Sequence, residues 1–315
     1  MARPSAAPVE PARPAGSARP AGSARPAGSA GRRVSAWLHR HAGVRLAALL
    51  AAPLTWLVLA YLGALAVLLV SAFWSVNGFT GEVVHQPTLD NFTTIVKSEV
   101  YRAVTLRSVG IAAAVTVVTA VLALPMAFYM AKVAKPRSRR WLVVAILTPL
   151  WASYLVKVYA WRVLLANGGP VDSLLGGPGS GPGYGLTATV IVLSYLWLPY
   201  MVLPLYTGLE RVPDSLLEAS ADLGARGWRT FRSVVLPMIV PSLFAGSIFT
   251  FSLSLGDYIT VQIVGGKTQL IGNLVYANIG AANNLPFAAA LATIPVLVMV
   301  GHLVAVRRSG ALEEL

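Results

Sequence analysis

The chain alternates between long apolar segments and short segments that carry most of its charge. Only 12% of its 315 residues are charged, 56% are hydrophobic, and the mean hydropathy is +0.67. A soluble globular domain carries about a quarter charged residues. A chain with this little charge has too few polar groups to cover a surface in water, so the pattern predicts an integral membrane protein.

Six segments are long and apolar enough for membrane-spanning helices, since a bilayer core needs about 20 apolar residues per helix. They are predicted at 46–76, 107–132, from 141 onward, 186–209, 234–256 and 286–306. The third is interrupted near its end by Lys157 and Arg162, which we expect to reach the interface or face a protein interior. The sequence therefore predicts an all-α, polytopic membrane fold with six spans.

Lysine and arginine are concentrated in alternate gaps between these segments. Besides those in the Arg-rich leader, they are Lys132, Lys135, Arg137, Arg139, Arg140, Arg211, Arg226, Arg229, Arg232, Arg307 and Arg308. The positive-inside rule places these gaps and both termini in the cytoplasm, which agrees with an even number of spans. The net charge of +13 thus reports topology, whereas nucleic-acid binding needs a basic face on a soluble fold.

Composition divides the chain into three parts. Residues 1–45 form an Arg-, Pro- and Ala-rich leader that repeats ARPAGS three times over residues 12–29, and we expect it to be disordered. Residues 46–308 form the transmembrane domain, with a core at 100–306, and residues 309–315 form a cytoplasmic tail. The glycine- and proline-rich segment at 176–185 is predicted to be a flexible external loop.

A compact charged segment, EASADLGARGWRTFRSVVLP, lies in the loop at 210–237, between the fourth and fifth spans. Ser215 and Glu218 fit a capping box, and Gly224 suits the end of a helix. Acidic residues come first and arginines last, which complements a helix dipole. The segment predicts a short cytoplasmic helix shaped for a partner, and a loop helix that only solubilises the gap is the alternative.

The spacing of this loop resembles the EAA motif of ABC-importer permeases, which reads Glu-Ala-Ala, three residues, Gly, nine residues, then Ile-x-Leu-Pro. The matching positions here are Glu218, Ala219, Ser220, Gly224, Val234, Leu236 and Pro237. Ser220 in place of Ala and Val234 in place of Ile are the departures. Residues 155–175, 255–279 and 285–291 also look like polyamine-type permeases, so the chain is similar to the first permease subunit of spermidine/putrescine importers over roughly residues 50–308.

The resemblance implies a type I ABC-importer permease in a bacterial plasma membrane, a non-catalytic subunit that itself binds no cofactor. It implies two cytoplasmic ATPase subunits that bind ATP and Mg, a second permease subunit in a heterodimer, and an extracytoplasmic substrate-binding protein. The residues it assigns to ATPase docking are Glu218, Ala219, Ser220, Asp222, Leu223, Gly224 and Pro237.

A polyamine is a flexible cation, so its pathway needs acidic groups and aromatic faces. The candidates are Trp151, Tyr154, Tyr159, Trp161, Asp257 and Tyr258. Aromatic residues at span ends also serve as interfacial anchors, which is the alternative for each of them. Lys157 would repel a polyamine unless it points away or pairs with Asp257.

Other functions stay open at this point. Related permeases carry ferric iron, opines or amino-acid-like solutes, so another small solute is an alternative substrate. A secondary transporter that works alone is an alternative of a different class, although the sequence shows no inverted repeat and no acid deep in a span. A membrane-bound enzyme would need clustered histidines or acids near one interface, and the sequence has none.

Overall fold

A computed structural model describes residues 42–308 of the protein. The chain divides between Gly63 and Ala64 into two compact units, which are described separately. In the first unit, helix α1 (Ala42–Leu57) is followed by a π-helical turn at Val58–Leu62. Residues 1–41 of the predicted leader and the predicted tail at 309–315 lie outside the described residues, whereas residues 42–45, predicted to belong to the disordered leader, are helical.

The second unit is almost entirely helical. Its helices are α2 (Gly63–Ser71, of which Gly63 belongs to the first unit), α3 (Asp90–Lys97), α4 (Glu99–Phe128), α5 (Pro136–Trp151), α6 (Tyr154–Leu164), α7 (Pro170–Leu175), α8 (Leu186–Arg211), α9 (Asp214–Asp222), α10 (Gly227–Thr230), α11 (Leu236–Gly256), α12 (Ile259–Val264), α13 (Ile271–Ile279) and α14 (Leu285–Arg308). Strands β1 (Ser75–Val76) and β2 (Val83–Val84) pair antiparallel. Further π-helical turns occupy Tyr129–Val133 and Phe231–Val235.

The predicted spans are found as helices, with the third one broken. Within residues 42–308, five helices are long and apolar enough to cross a membrane: Leu49–Ser71, Glu99–Val133, Leu186–Arg211, Gly227–Gly256 and Leu285–Arg308. The sixth candidate is the pair α5 and α6, whose axes differ by 95°. The bend arises because Ala152 and Ser153 are extended, with ψ of 144° and 134°. The third span is therefore a broken span or a re-entrant segment.

Three predicted boundaries were wrong, and one of them is the start of the fifth span, which lies at Gly227 instead of Val234. The first span ends at Ser71 instead of Val76, because Ser75 and Val76 form β1 and pair with β2. The second begins at Glu99 instead of Arg107, since Arg102 and Arg107 lie on the same continuous helix as the apolar residues that follow. Hydropathy marks the part of a helix that lies in the hydrocarbon core of the membrane, whereas the helix itself continues beyond that core.

The centre of the second unit is built by α4, α8 and α11, which pack closely along their length. Small residues allow this approach: a Cβ added at Gly208 in α8 would overlap the Ser242 hydroxyl of α11, and one at Gly246 would lie 2.6 Å from the sulfur of Met201. Membrane helices associate by close van der Waals packing, because lipid supplies no hydrophobic drive between them. These contacts fix the ends of α8 and α11, which position both candidate sites.

Candidate functional site

The loop between α8 and α11 contains a short helix with a defined end. Helix α9 spans Asp214–Asp222, and Gly224 follows it in the left-handed region with φ of +75°. The amide of Gly224 donates to Ala221 O at 2.8 Å, and the amide of Ala225 donates to Ser220 O at 3.1 Å. This geometry closes a helix on a glycine because residues with a Cβ are disfavoured there. The predicted role of Gly224 as a helix end is confirmed.

The predicted capping box was wrong. Helix α9 begins at Asp214, Pro213 is the N-cap residue, and no side chain forms a capping hydrogen bond. Ser215 therefore lies inside the first turn instead of before it. Pro213 has the extended backbone that an N-cap residue needs, with φ of −66° and ψ of 135°, and Asp214 adds an acid at the positive end of the helix dipole.

Two cations anchor the start of this loop. Lys132 Nζ donates to Val212 O at 2.6 Å and to Asp214 Oδ1 at 2.7 Å, and its side chain is only 10% exposed. Arg139 Nη1 donates to Glu210 Oε1 at 2.9 Å, and Arg139 Nη2 donates to Ala131 O. The basic loop after α4 and the loop before α9 therefore lie on one side of the bundle, which is called the basic side below.

Most residues of the predicted docking set are exposed on this basic side. Glu218, Ala219, Asp222, Leu223, Gly224 and Pro237 are exposed. Leu223 is 88% exposed although it is a large apolar residue. Ser220 is half-buried, and its hydroxyl lies 2.9 Å from Thr230 Oγ1, which holds α9 against α10. The helix is thus supported on one face and free on another.

Trp228 belongs to the same exposed surface, and sequence reasoning missed it. It lies in α10, is 71% exposed, and stacks on Phe231 with ring centroids 5.6 Å apart. A large exposed aromatic residue beside an exposed leucine marks an interaction surface more strongly than either residue alone. Its position in the charged loop, four residues after Gly224, is the only sequence signal for it.

A second site lies where the broken third span meets the end of α11. A cavity of about 280 Å³ is lined by Tyr154, Trp197, Ser252, Leu253, Gly256, Asp257, Tyr258 and Ile259. Asp257 is the C-cap residue of α11 and is 8% exposed. Its Oδ2 accepts hydrogen bonds from the Tyr154 hydroxyl at 2.5 Å and from the Thr260 hydroxyl at 3.0 Å, and its Oδ1 accepts one from the Thr260 amide at 2.8 Å. We call this the aspartate cavity.

The structure brings together three of the six pathway candidates, Tyr154, Asp257 and Tyr258. Trp151 is the last residue of α5 and is 91% exposed, whereas Trp161 packs on Tyr195 of α8. Tyr159 is exposed on α6 and is not among the residues that line the cavity.

Three further findings concern the groups around Asp257. Within residues 42–308, no ion pair joins Lys157 to Asp257, because tyrosine and threonine hydroxyls take that place. Sequence reasoning missed Trp197 and Thr260, although Thr260 follows Asp257 by only three residues. Among the described residues, no group of His, Asp or Glu is arranged to hold a metal ion.

The loop that follows the third span contains a buried acid. Asp172 of α7 is 1% exposed and accepts hydrogen bonds from the amides of Gly168, Gly179 and Gly181 at 2.7–2.8 Å. These amides stabilise the carboxylate and hold the pKa of Asp172 below its usual range. The loop predicted to be flexible thus folds around one side chain, and composition gave no sign of it.

Helices long and apolar enough to span a membrane, together with one exposed charged helix on the basic side, indicate a multi-pass membrane protein. The family model described as "Binding-protein-dependent transport system inner membrane component" matches residues 120–307. The "Inner membrane ABC transporter permease protein YdcU" of Escherichia coli K12 is 41% identical over 299 residues, covering 90% of this chain and 95% of that protein. The "Spermidine/putrescine transport system permease protein PotB" of the same strain is 31% identical over 218 residues, covering 67% and 78%.

A solved bacterial alginate ABC transporter, in complex with a periplasmic protein bound to an alginate pentasaccharide, shares the fold. Its TM-score is 0.64 at 14% identity, and the match covers 90% of this chain and 98% of that one. The chain belongs to the family of binding-protein-dependent transport system inner membrane components. It is an ABC-importer permease of the type I fold, a multi-pass inner-membrane subunit without catalytic activity.

Proposed function

We propose that this permease belongs to an ATP-driven importer of polyamines, of the spermidine/putrescine kind, and that α9 couples it to a cytoplasmic ATPase. The observation that carries the proposal is the free surface of α9. Leu223 is 88% exposed, while the helix is anchored at Asp214 and ended by Gly224. An apolar side chain held in the open by a fixed backbone supports docking to a partner.

The proposed docking set is Glu218, Ala219, Ser220, Asp222, Leu223, Gly224 and Pro237, and the exposure of Trp228 supports its inclusion. Ala219 lets another surface approach closely, Ser220 holds α9 against α10, and Leu223 supplies apolar area. Glu218 acts as an interaction residue, because ATP and Mg are bound by the ATPase. Pro237 lies in the first turn of α11, so the docked loop leads directly into the fifth span.

The physical mechanism is that of a rigid lever with two states. The basic side faces the cytoplasm, as the positive-inside rule predicts. Two ATPase subunits close on ATP and draw α9 of this subunit and its counterpart together, and the attached spans rock between two access states. The ATPase drives this equilibrium only by binding one state more tightly than the other.

The aspartate cavity supports a cationic substrate. It joins a carboxylate to the rings of Tyr154, Trp197 and Tyr258, which is the combination that attracts an alkylammonium ion. The relationship to the PotB protein supports the polyamine class, as does the match of residues 155–175 and 255–279 noted above. Trp151, Tyr159 and Trp161 remain pathway candidates outside this cavity.

The proposed assembly has a second permease subunit, two ATPase subunits and an extracytoplasmic binding protein. We propose that the binding protein delivers substrate on the side opposite the basic loops, where the loop around Asp172 lies. The family description and the solved alginate importer with its periplasmic protein support this kind of partner.

The test is uptake by the complete importer in proteoliposomes. Inside-facing ATPase, both permease subunits and the loaded binding protein are combined, and labelled putrescine or spermidine is followed. ATP-dependent accumulation supports the proposal. Accumulation of iron or an amino acid instead would replace the substrate class while keeping the importer. Transport by this chain without an ATPase would contradict the coupling itself.

A further inference from the structure

The hydrogen bond between Tyr154 and Asp257 joins parts of the chain that are far apart in sequence. Tyr154 is the first residue of α6, directly after the 95° bend in the third span. Asp257 ends α11, so this 2.5 Å bond ties the bent segment to the end of the fifth span across 103 residues. A single side-chain contact at a bend is well placed to control the angle of the bend.

Tyr154 also contacts the fourth span, α8. The ring of Tyr154 stacks on Trp197 of α8, with centroids 6.2 Å apart and planes inclined by 21°. The hydroxyl also lies 2.7 Å from Thr260 Oγ1 at the start of α12. Tyr154 is therefore in contact with α8, α11 and α12 at once, and it lines the aspartate cavity.

The carboxylate of Asp257 has the properties of a cation-binding group, but a neutral hydrogen-bond donor occupies the position of the cation. The residue is 8% exposed, and among the described residues its donors are the hydroxyls of Tyr154 and Thr260 and the backbone amides of Ile259 and Thr260, with no ion pair. A buried carboxylate gains more from a cation than from a hydroxyl, because the charge interaction strengthens where water is excluded. An ammonium ion entering the cavity competes with the Tyr154 hydroxyl for Oδ2.

We propose that the Tyr154 hydroxyl is a substrate-released latch: an alkylammonium group of the substrate displaces it from Asp257 and frees α6 to change its angle. The inference rests on the proposed function for the identity of the substrate. It goes further by assigning Tyr154 a positioning role, with Thr260 holding the carboxylate in place. Occupancy of the cavity is thereby linked to the shape of the third span.

The test uses the assembled importer in nanodiscs and the variant Tyr154→Phe. This change removes the hydroxyl and keeps the ring on Trp197. Because the latch competes with substrate, its loss is expected to tighten putrescine binding roughly tenfold, the scale of one hydrogen bond to a charged group. Asp257→Asn should abolish that binding. Tyr195→Phe, the same change in α8 away from the cavity, is the matched control and should leave affinity unchanged.

The sign of the effect separates the latch from a passive role. A tyrosine that only lines the cavity or binds substrate through its hydroxyl would give weaker or equal binding in Tyr154→Phe, and either result overturns the proposal. A second readout is hydrogen–deuterium exchange of the amides at 154–164. Putrescine should raise it in the wild type, 1,4-butanediol should not, and Tyr154→Phe should show the raised level without ligand.

This readout also distinguishes the two proposals. If ATP-driven polyamine uptake fails but putrescine still raises exchange at 154–164, the importer substrate is wrong and the latch stands. If uptake succeeds but exchange is the same in wild type and Tyr154→Phe, the importer stands and the latch falls. Equal exchange with putrescine and with 1,4-butanediol also overturns it, because the displacement requires a charge.

Discussion

The loop around Asp172 and the loop that contains α9 are both glycine-containing connections between spans, yet they are stabilised in opposite ways. The first folds around a buried carboxylate that accepts three backbone hydrogen bonds, so its own chain satisfies it. The second is anchored at its start by Lys132 and leaves Leu223 and Trp228 exposed. Leu174 of the first loop is also exposed, so exposure alone does not distinguish the two loops; we propose that the second loop, which adds Trp228 on a short helix of its own, is the one that binds a partner.

The largest effect is expected from Gly224→Asp. A residue with a Cβ is strained at φ of +75°, so α9 should end differently and dock poorly. We expect ATP-dependent uptake in proteoliposomes to fall at least about tenfold while membrane insertion stays normal. Gly227→Asp is the control, because it adds the same charge three residues on, with open space around the Cβ and no positive φ. Equal loss in both variants would mean that charge, and not backbone geometry, matters.

Two leucines of nearly equal exposure compare the loops directly. Leu223 is 88% exposed and Leu174, beside Asp172, is 86% exposed. Leu223→Ser should weaken binding of the purified ATPase roughly tenfold, as expected for an interface residue worth more than about 1 kcal/mol. Leu174→Ser should leave it unchanged, and both should keep thermal stability within about 0.5 kcal/mol. A similar loss of ATPase binding in both variants would remove the distinction between the loops.

The Asp172 loop should respond to acid. The folded loop lowers the pKa of Asp172, so the ionised carboxylate stabilises the loop at pH values above the pKa of the unfolded chain, about 3.9. This stabilisation is lost as the pH falls through the lowered pKa of the folded loop. Amide exchange at 168–181, corrected for intrinsic rates, should stay slow from neutral pH to about 5 and speed up below about 4. Asp172→Asn should exchange faster at neutral pH, with no acid transition. A transition near pH 6 would exclude Asp172 as its source.

The smallest effect concerns the anchor of α9. Lys132→Met keeps the apolar stem but removes two hydrogen bonds, leaving Val212 O and Asp214 without their partner. We expect it to destabilise the permease by about 1–2 kcal/mol in thermal unfolding. Asp214→Asn should change stability by less than about 1 kcal/mol, because Asp214 is 76% exposed. The reverse order would show that the exposed ion pair, and not the buried bond to Val212, anchors the loop.

Hydropathy and charge predicted the spans because both reflect the membrane as a solvent, which acts on each segment separately. The end of α9 at Gly224 was predictable for a similar reason, since a helix end depends on local chemistry. The bend at Ala152 and the pairing of β1 with β2 depend on contacts between segments, and no local pattern reported them. The partners of Asp172 are glycine amides, which carry no sequence signal, and Trp197 joins the aspartate cavity only through helix packing.

The most direct test of the central claim is photo-cross-linking from α9 in the assembled importer. A benzoylphenylalanine residue is placed at Leu223 and, in a second variant, at Leu174, and the complex is irradiated without nucleotide and with ATP. The account predicts a cross-link from position 223 to the ATPase that changes in yield with ATP, and no ATPase cross-link from position 174. A position 223 that cross-links only to its own subunit or to lipid would contradict the account.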